Sequence, residues 1–167
     1  ISLAIVATLA RMATLRIYDC DSGALAVGLC HLIGLLGPRS LQATWTVSPV
    51  KLYYPTLRSF EEEFMATGQG GDQLEVLSRD RSLVAGAALA ELAKATSQVI
   101  WGEFAAVLPQ QHVIWITIRA IDSTFYEVTT TDEAVLDKIK SSYKDVRVAA
   151  SPVTSTPIPQ VPRKDEQ

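Results

Sequence analysis

The stretch from Val99 to Thr129 constrains the fold more than any other part of the chain. Val99–Leu108 and His112–Ile121 are two long strand patterns, joined by Pro109-Gln110-Gln111 as a short hairpin connection. Phe125–Thr129 follows as a third strand after a turn at Asp122-Ser123-Thr124. Strands joined this closely are antiparallel neighbours, because a parallel pair needs a crossover of about a dozen residues or more.

A three-residue loop sets Leu108 opposite His112 and fixes the register. Ile100, Gly102, Phe104, Ala106, Ile114, Ile116, Ile118 and Ala120 then share one face, whose side chains carry no polar atom. Val99, Trp101, Glu103, Ala105, Val107, Val113, Trp115, Thr117, Arg119 and Ile121 share the other. In this register Trp101 lies opposite Arg119, within cation–π reach. Glu103 lies opposite Thr117 and diagonal to Arg119, and Trp115 lies opposite Ala105. The turn into the third strand adds Glu127 opposite Arg119 and brings Phe125 to the same face. Trp101, Glu103, Trp115, Thr117, Arg119, Phe125 and Glu127 are therefore the candidate ligand- or partner-binding residues. A carboxylate in a mostly apolar stripe needs a partner, and Arg119 is the natural one. Either a helix covers this face and the Glu–Arg pair is a structural ion pair, or the face is an open platform of aromatic and charged anchors.

The remaining periodicities place other elements around these strands. Leu15–Tyr18 reads as a strand and Ala24–Leu36 as a helix, stopped by Gly37-Pro38. Asp21 or Ser22 is its expected cap. The helix is apolar nearly all round, which suits the core or a subunit contact, so a homo-oligomer is among the expectations. Leu41–Val47 and Val50–Tyr54 read as strands on either side of Pro49. Thr56–Met65 reads as a helix, with Ser59 and Glu62 at capping-box spacing. Thr67–Asp72 is a glycine-rich loop, Leu74–Leu77 a strand, and Asp80–Thr96 a helix rich in small residues. Asp132–Tyr143 is a helix with Val135, Leu136, Ile139 and Tyr143 on one face and a capping box from Thr130 and Glu133. Asp145–Ala149 is a last strand. Runs of adjacent strands give the α+β class, a largely antiparallel sheet with helices packed mainly on one face. The element order also fits two βαββ-type units.

The 167 residues suit one domain, expected over residues 12–150. Residues 1–11, almost wholly apolar up to Ala10, read as an upstream or appended segment, too short to span a bilayer. Residues 151–167 carry four of the eight prolines and read as a disordered tail. Within it, Pro159 to Lys164 matches a PxxP core followed by basic residues, the form that SH3-type grooves accept. A net charge of −3, with fifteen scattered Lys and Arg, argues against nucleic acid as a partner, since neutralised phosphates supply most of such affinity. No membrane partner is expected either. Cys20 and Cys30 read as buried reduced thiols, which favours a reducing compartment and so the cytoplasm.

Several short motifs carry little chemistry. Asp19-Cys20-Asp21, after a strand and before a helix, resembles the DxD of haloacid-dehalogenase-type phosphatases in spacing. Ser22-Gly23 stands where Gly-Thr is expected, and neither a later acidic pair nor a partner lysine follows. The pair reads as helix capping. Gly68-Gln69-Gly70-Gly71 lacks the lysine of a phosphate loop and reads as a mobile loop or lid. His31 and His112 have no nucleophile in reach, since Cys30 and His31 are helix neighbours whose side chains diverge. Glu61-Glu62-Glu63 reads as a solvated face. No metal, cofactor or catalytic residue is expected. The best-supported function is a small non-catalytic binding protein that grips a protein or small ligand at the Trp/Arg/Glu face. The alternative is a small enzyme with Glu103 as general acid or base.

Overall fold

An antiparallel sheet organises the chain. The computed structural model describes residues 11–54 and 57–153. The strands of the first half are β1 (Ala13–Ile17), β2 (Cys20–Asp21), β3 (Ala24–Leu25), β4 (Thr44–Ser48), β5 (Val50–Tyr54), β6 (Ser59–Glu63), β7 (Met65–Thr67) and β8 (Leu83–Ala85). Those of the second half are β9 (Gln98–Val107), β10 (Ile116–Ile121), β11 (Phe125–Thr130) and β12 (Val146–Ala149). The helices are α1 (Leu29–Leu36), α2 (Pro38–Gln42), α3 (Gln69–Arg79), α4 (Gly86–Lys94) and α5 (Glu133–Ser142). Among the described residues, eight strands form one sheet in the order β12-β1-β11-β10-β9-β4-β8, with β7 paired to β9. Because β1 lies between β11 and β12, the two halves of the chain interleave in one sheet and do not stand side by side as βαββ units.

One sheet face carries the core. Leu15, Val128, Ile118, Phe104 and Val47 are aligned across β1, β11, β10, β9 and β4, and all are buried. Leu29, Leu32, Ile33 and Leu36 of α1, Leu74 of α3, Leu89 and Ala93 of α4, and Val135, Leu136 and Ile139 of α5 pack in the same cluster. The apolar stripe expected on α5 is therefore its buried face. The α+β class, with helices on one side of an antiparallel sheet, is what the strand runs imply.

Several local expectations give way to tertiary structure. Residues 59–63 form β6, not a helix, because they ladder antiparallel to β5 from Val50↔Glu63 to Tyr54↔Ser59. Alternation across a hairpin outweighs the capping-box spacing of Ser59 and Glu62. Residues 24–28 are not helical; Ser22 and Gly23 (φ 51° and 81°) turn a tight hairpin between β2 and β3, and α1 starts only at Leu29. Asp21 and Ser22 therefore cap no helix. Gly68–Gly71 is not a mobile loop. It starts α3, with Gly70 and Gly71 buried and the Gly70 N–H donating to Ala95 O at 2.9 Å, and the residues expected as a strand at 74–77 continue that helix. The long helix expected over 80–96 is the short strand β8 followed by α4, and Pro38–Gln42 forms α2 ahead of β4. Cys20 is exposed, as is His31; Cys30 is half-buried. The apolar segment at 1–10 and the PxxP motif at 159–164 lie outside the described residues. Among the described residues no helix is long and apolar enough to cross a membrane.

Candidate functional site

The hairpin register differs from the expected one by two residues. β9 ends at Val107 and β10 begins at Ile116, so the connection spans 108–115, and the Trp115 N–H bonds Ala106 O at 2.8 Å. Val113 and Ile114 are exposed in that connection, although Ile114 was expected on the core face. Arg119 consequently pairs with Glu103, not Trp101, and Thr117 pairs with Ala105, not Glu103. An even shift keeps every residue on its face and changes only its partner. One exception comes from a bulge. Met65 pairs with Trp101 but Ala66 with Val99, which leaves Ile100 as the extra residue and turns Val99 into the core.

The three-residue turn at 122–124 places Glu127 opposite Arg119 and Phe125 opposite Ile121, as the sequence implies. Around this pair the sheet assembles a row that no local pattern reveals. Arg147, Arg16, Glu127, Arg119, Glu103 and Ser48 are successive partners across β12, β1, β11, β10, β9 and β4. Arg119 donates from Nε to Glu103 Oε1 at 2.6 Å and from Nη1 to Glu127 Oε1 at 3.2 Å. Arg16 Nε meets Glu127 Oε2 at 3.0 Å, and Ser48 donates to Glu103 Oε2 at 3.4 Å. Charges alternate from Arg16 to Glu103, so the central carboxylate and the central guanidinium each lie between two opposite charges. That satisfies the cost of burying them. The side chain of Glu127 is 0% exposed and that of Arg119 11%, whereas Glu103 and Arg16 are about a quarter exposed at 25% and 27%.

Two further rows flank the charges. Thr14, Thr129 and Thr117 line one side, with a Thr14–Thr129 hydroxyl contact of 3.1 Å. Tyr18, Phe125, Ile121 and Trp101 form the other. The Tyr18 and Phe125 rings lie 4.9 Å apart, with Arg16 stacked 5.1 Å from Phe125 and Arg147 3.9 Å from Tyr18. Trp101, Phe125 and Tyr54 pack on a second, smaller cluster of Val50, Leu52 and Ile121, to which none of the five helices contributes. This face is thus covered by neither of the arrangements open from sequence. Strand β5, through Val50 and Leu52, and Val153 pack over part of it. All six residues of β10 are buried.

Trp115 stands apart from the row. Its indole Nε1 donates to Asp132 Oδ2 at 2.9 Å, Arg39 Nη1 bonds the same oxygen at 2.6 Å, and the Arg39 guanidinium stacks 4.8 Å from the ring. Asp132 also caps α5, accepting from the Ala134 and Val135 N–H groups, while Thr130 accepts from Asp132 N–H. The cap is therefore Asp132 and not the Thr130–Glu133 box. Burial raises the Asp132 carboxyl, but the hydrogen bonds from Trp115, Arg39 and Val135 outweigh it and hold it below its ordinary value. A depressed carboxyl contributes stability above its unfolded value that is lost as pH falls through the folded one. Asp132→Asn keeps a good cap but removes the charge. It is expected to cost up to about 1 kcal/mol at pH 7, with the difference from wild type shrinking in urea unfolding as pH falls through the depressed folded carboxyl. A difference that stays the same size from neutral pH into acid refutes the charge assignment.

Arg16, Ser48 and Arg147 complete the row but were not selected from sequence. Alternation in Leu15-Arg16-Ile17 places Arg16 on the face opposite the core, yet only the β1–β11 pairing shows which carboxylate it meets. Asp19 accepts from the Lys144 and Asp145 N–H groups and ties β1 to β12, which accounts for the DxD-like aspartate. A separate cleft of about 300 Å³ lies between the β3–α1 segment and the end of α4, lined among others by Cys30, His31, Thr96 and Tyr126. His31 Nδ1 accepts the Gly28 N–H there at 3.2 Å. Burial pushes the Tyr126 phenol up, countered in part by the Leu29 backbone.

Together these features define an antiparallel α+β protein with one helical layer and a charged, aromatic-edged sheet face. No family model, curated protein or solved structure matches the chain.

Proposed function

We propose that this chain is a non-catalytic binding protein whose working surface is the helix-free sheet face around Trp101, Glu103, Arg119, Phe125 and Glu127. The observation that carries the reading is the charge row itself, fixed at its centre by mutual ion pairs and open at Glu103 and Arg16. Trp101 and Phe125 are half-buried beside it. Prearranged Trp and Arg side chains are the types that dominate binding surfaces, and holding them in place beforehand lowers the entropy lost on association. Thr117 is buried beside the row, Thr129 accepts from Arg119 Nη1 at 3.4 Å, and Trp115 anchors the hairpin connection to α5. The enzyme reading is weaker, because both Glu103 oxygens already accept, from Arg119 and from Ser48.

The test is an NMR titration of the labelled chain with a panel of blocked tetrapeptides and small aromatic fragments. Shifts are expected to cluster on the Trp101 indole N–H and on the amides of 101–105 and 117–121. Glu103→Gln is expected to weaken that binding by less than about tenfold, as removal of a partly exposed charge does. Shifts centred on the cleft at α1, or a reaction abolished by Glu103→Gln, would overturn the reading.

A further inference from the structure

We infer that the ligand of this face is a peptide that offers a backbone N–H beside a β-branched side chain, and that Val153 of the chain already occupies its place in cis. The inference rests on the binding reading of the face. It starts from where the chain goes after β12. That strand is at the edge of the sheet, with β1 between it and β11. Four residues past the strand end, the Val153 N–H has crossed inward to β11, where it donates to both oxygens of Glu127 at 3.1 Å each. The Val153 side chain packs with Val50, Leu52 and Ile121 beside Trp101, Phe125 and Tyr54.

Three features identify this contact as one a separate peptide can reproduce. Glu127 keeps Arg16 and Arg119 when Val153 leaves, so displacement strands no buried charge. The polar group supplied is a backbone N–H, which any residue but proline carries, and the selective part is a β-branched side chain among aromatic rings. Main-chain hydrogen bonding plus side-chain pockets is how extended peptides are read. Finally, the buried carboxylate at the centre selects a hydrogen-bond donor at that point of the face. Pro152 helps to present the segment: its φ is fixed near −65° and it disfavours helix at Ser151, so the chain bends at Ala150 and Ser151 and turns at Val153 onto the face.

Because the occupant is tethered, it competes at a high effective concentration, on the order of millimolar for a short flexible link. The face is therefore self-masked until the segment is displaced. The test uses the chain ended at Ala150 and a blocked synthetic peptide of the sequence Ala150–Ile158, followed through the Trp101 indole N–H by NMR. The peptide is expected to bind the shortened chain and restore the full-length resonance position. It should bind the full-length chain at least about tenfold more weakly, because the cis segment must first leave. The same peptide N-methylated at Val153, or carrying Val153→Asp, should lose binding by at least about tenfold. If the shortened chain does not fold, Val153→Asp in the full chain provides the unmasked face for the same titration. Equal affinity for masked and unmasked chains, or an indifferent response to N-methylation, overturns the inference. If the peptide fails while aromatic fragments still shift the Trp101 face, only the peptide assignment falls. If nothing binds the unmasked face, the binding reading falls with it.

Discussion

Glu127→Ala is expected to cost about 3–5 kcal/mol of folding stability. Glu127 is fully buried and accepts from Arg16, Arg119 and the Val153 N–H. Truncation leaves Arg119 11% exposed, with Glu103 as its remaining carboxylate. It also leaves the inner end of Arg16 facing a cation across the sheet. The cost is that of a part-buried row left with two guanidiniums and only one carboxylate, more than that of one lost contact. Two comparisons separate these causes. Glu127→Gln keeps the shape and one acceptor, and is expected to lose less. The double variant Arg119→Met/Glu127→Leu removes the two most buried charges and is expected to recover part of the loss, because the partners it leaves, Glu103 and Arg16, are each about a quarter exposed and reach water. Urea unfolding at pH 7 measures all three. A Glu127→Ala loss under about 1 kcal/mol would show the row to be solvated and its burial argument wrong.

Gly86→Ala is expected to destabilise the fold by about 3 kcal/mol, although helix propensity alone predicts a gain of about 1 kcal/mol. Gly86 opens α4, and its N–H bonds Ala43 O at 2.9 Å. A methyl group there would run into the Ser40 carbonyl oxygen and lie 2.7 Å from that of Leu41. Neither can move aside. Ser40 O accepts the Trp45 indole N–H at 2.9 Å, and the Ser40 hydroxyl bonds Gly37 O and Ile33 O at 2.6 and 3.1 Å. Gly34 is the control. It lies in α1, is exposed and has nothing within 4 Å of an added methyl, so Gly34→Ala is expected to stabilise by up to about 1 kcal/mol. Thermal unfolding of the two variants should therefore shift in opposite directions. A stabilised Gly86→Ala would mean that α4 and the α2–β4 junction are not in the close contact described.

Both predictions depend on contacts that the sequence shows only in part. Periodicity reports which face of a segment is apolar, so β9, the last half of the β10 pattern, β11 and α5 were all legible. So was the grouping of Trp101, Glu103, Arg119, Phe125 and Glu127 on one face. A tight turn also fixes register, which is why Glu127 was correctly set opposite Arg119 across Asp122-Ser123-Thr124. Where the connection is longer, as over 108–115, local pattern allows registers that differ by two residues. Tertiary packing chose the one that pairs Arg119 with Glu103. The same holds for 59–63, which local pattern reads as helix, and for 69–79, which it reads as loop and then strand. Pairing with β5 made the first a strand, and packing against α4 and β7 made the second a helix. By itself the sequence determined the long strands of the second half, most of their faces and the kinds of side chain each face carries. The tertiary structure decided which strands are neighbours: β1 enters between β11 and β12, brings Arg16 to Glu127, and lets Val153 reach the same carboxylate. Such pairings join residues 26 apart for Glu127 and Val153 and 111 apart for Arg16 and Glu127, so they are set by the burial and charge balance of the whole sheet and leave no local trace.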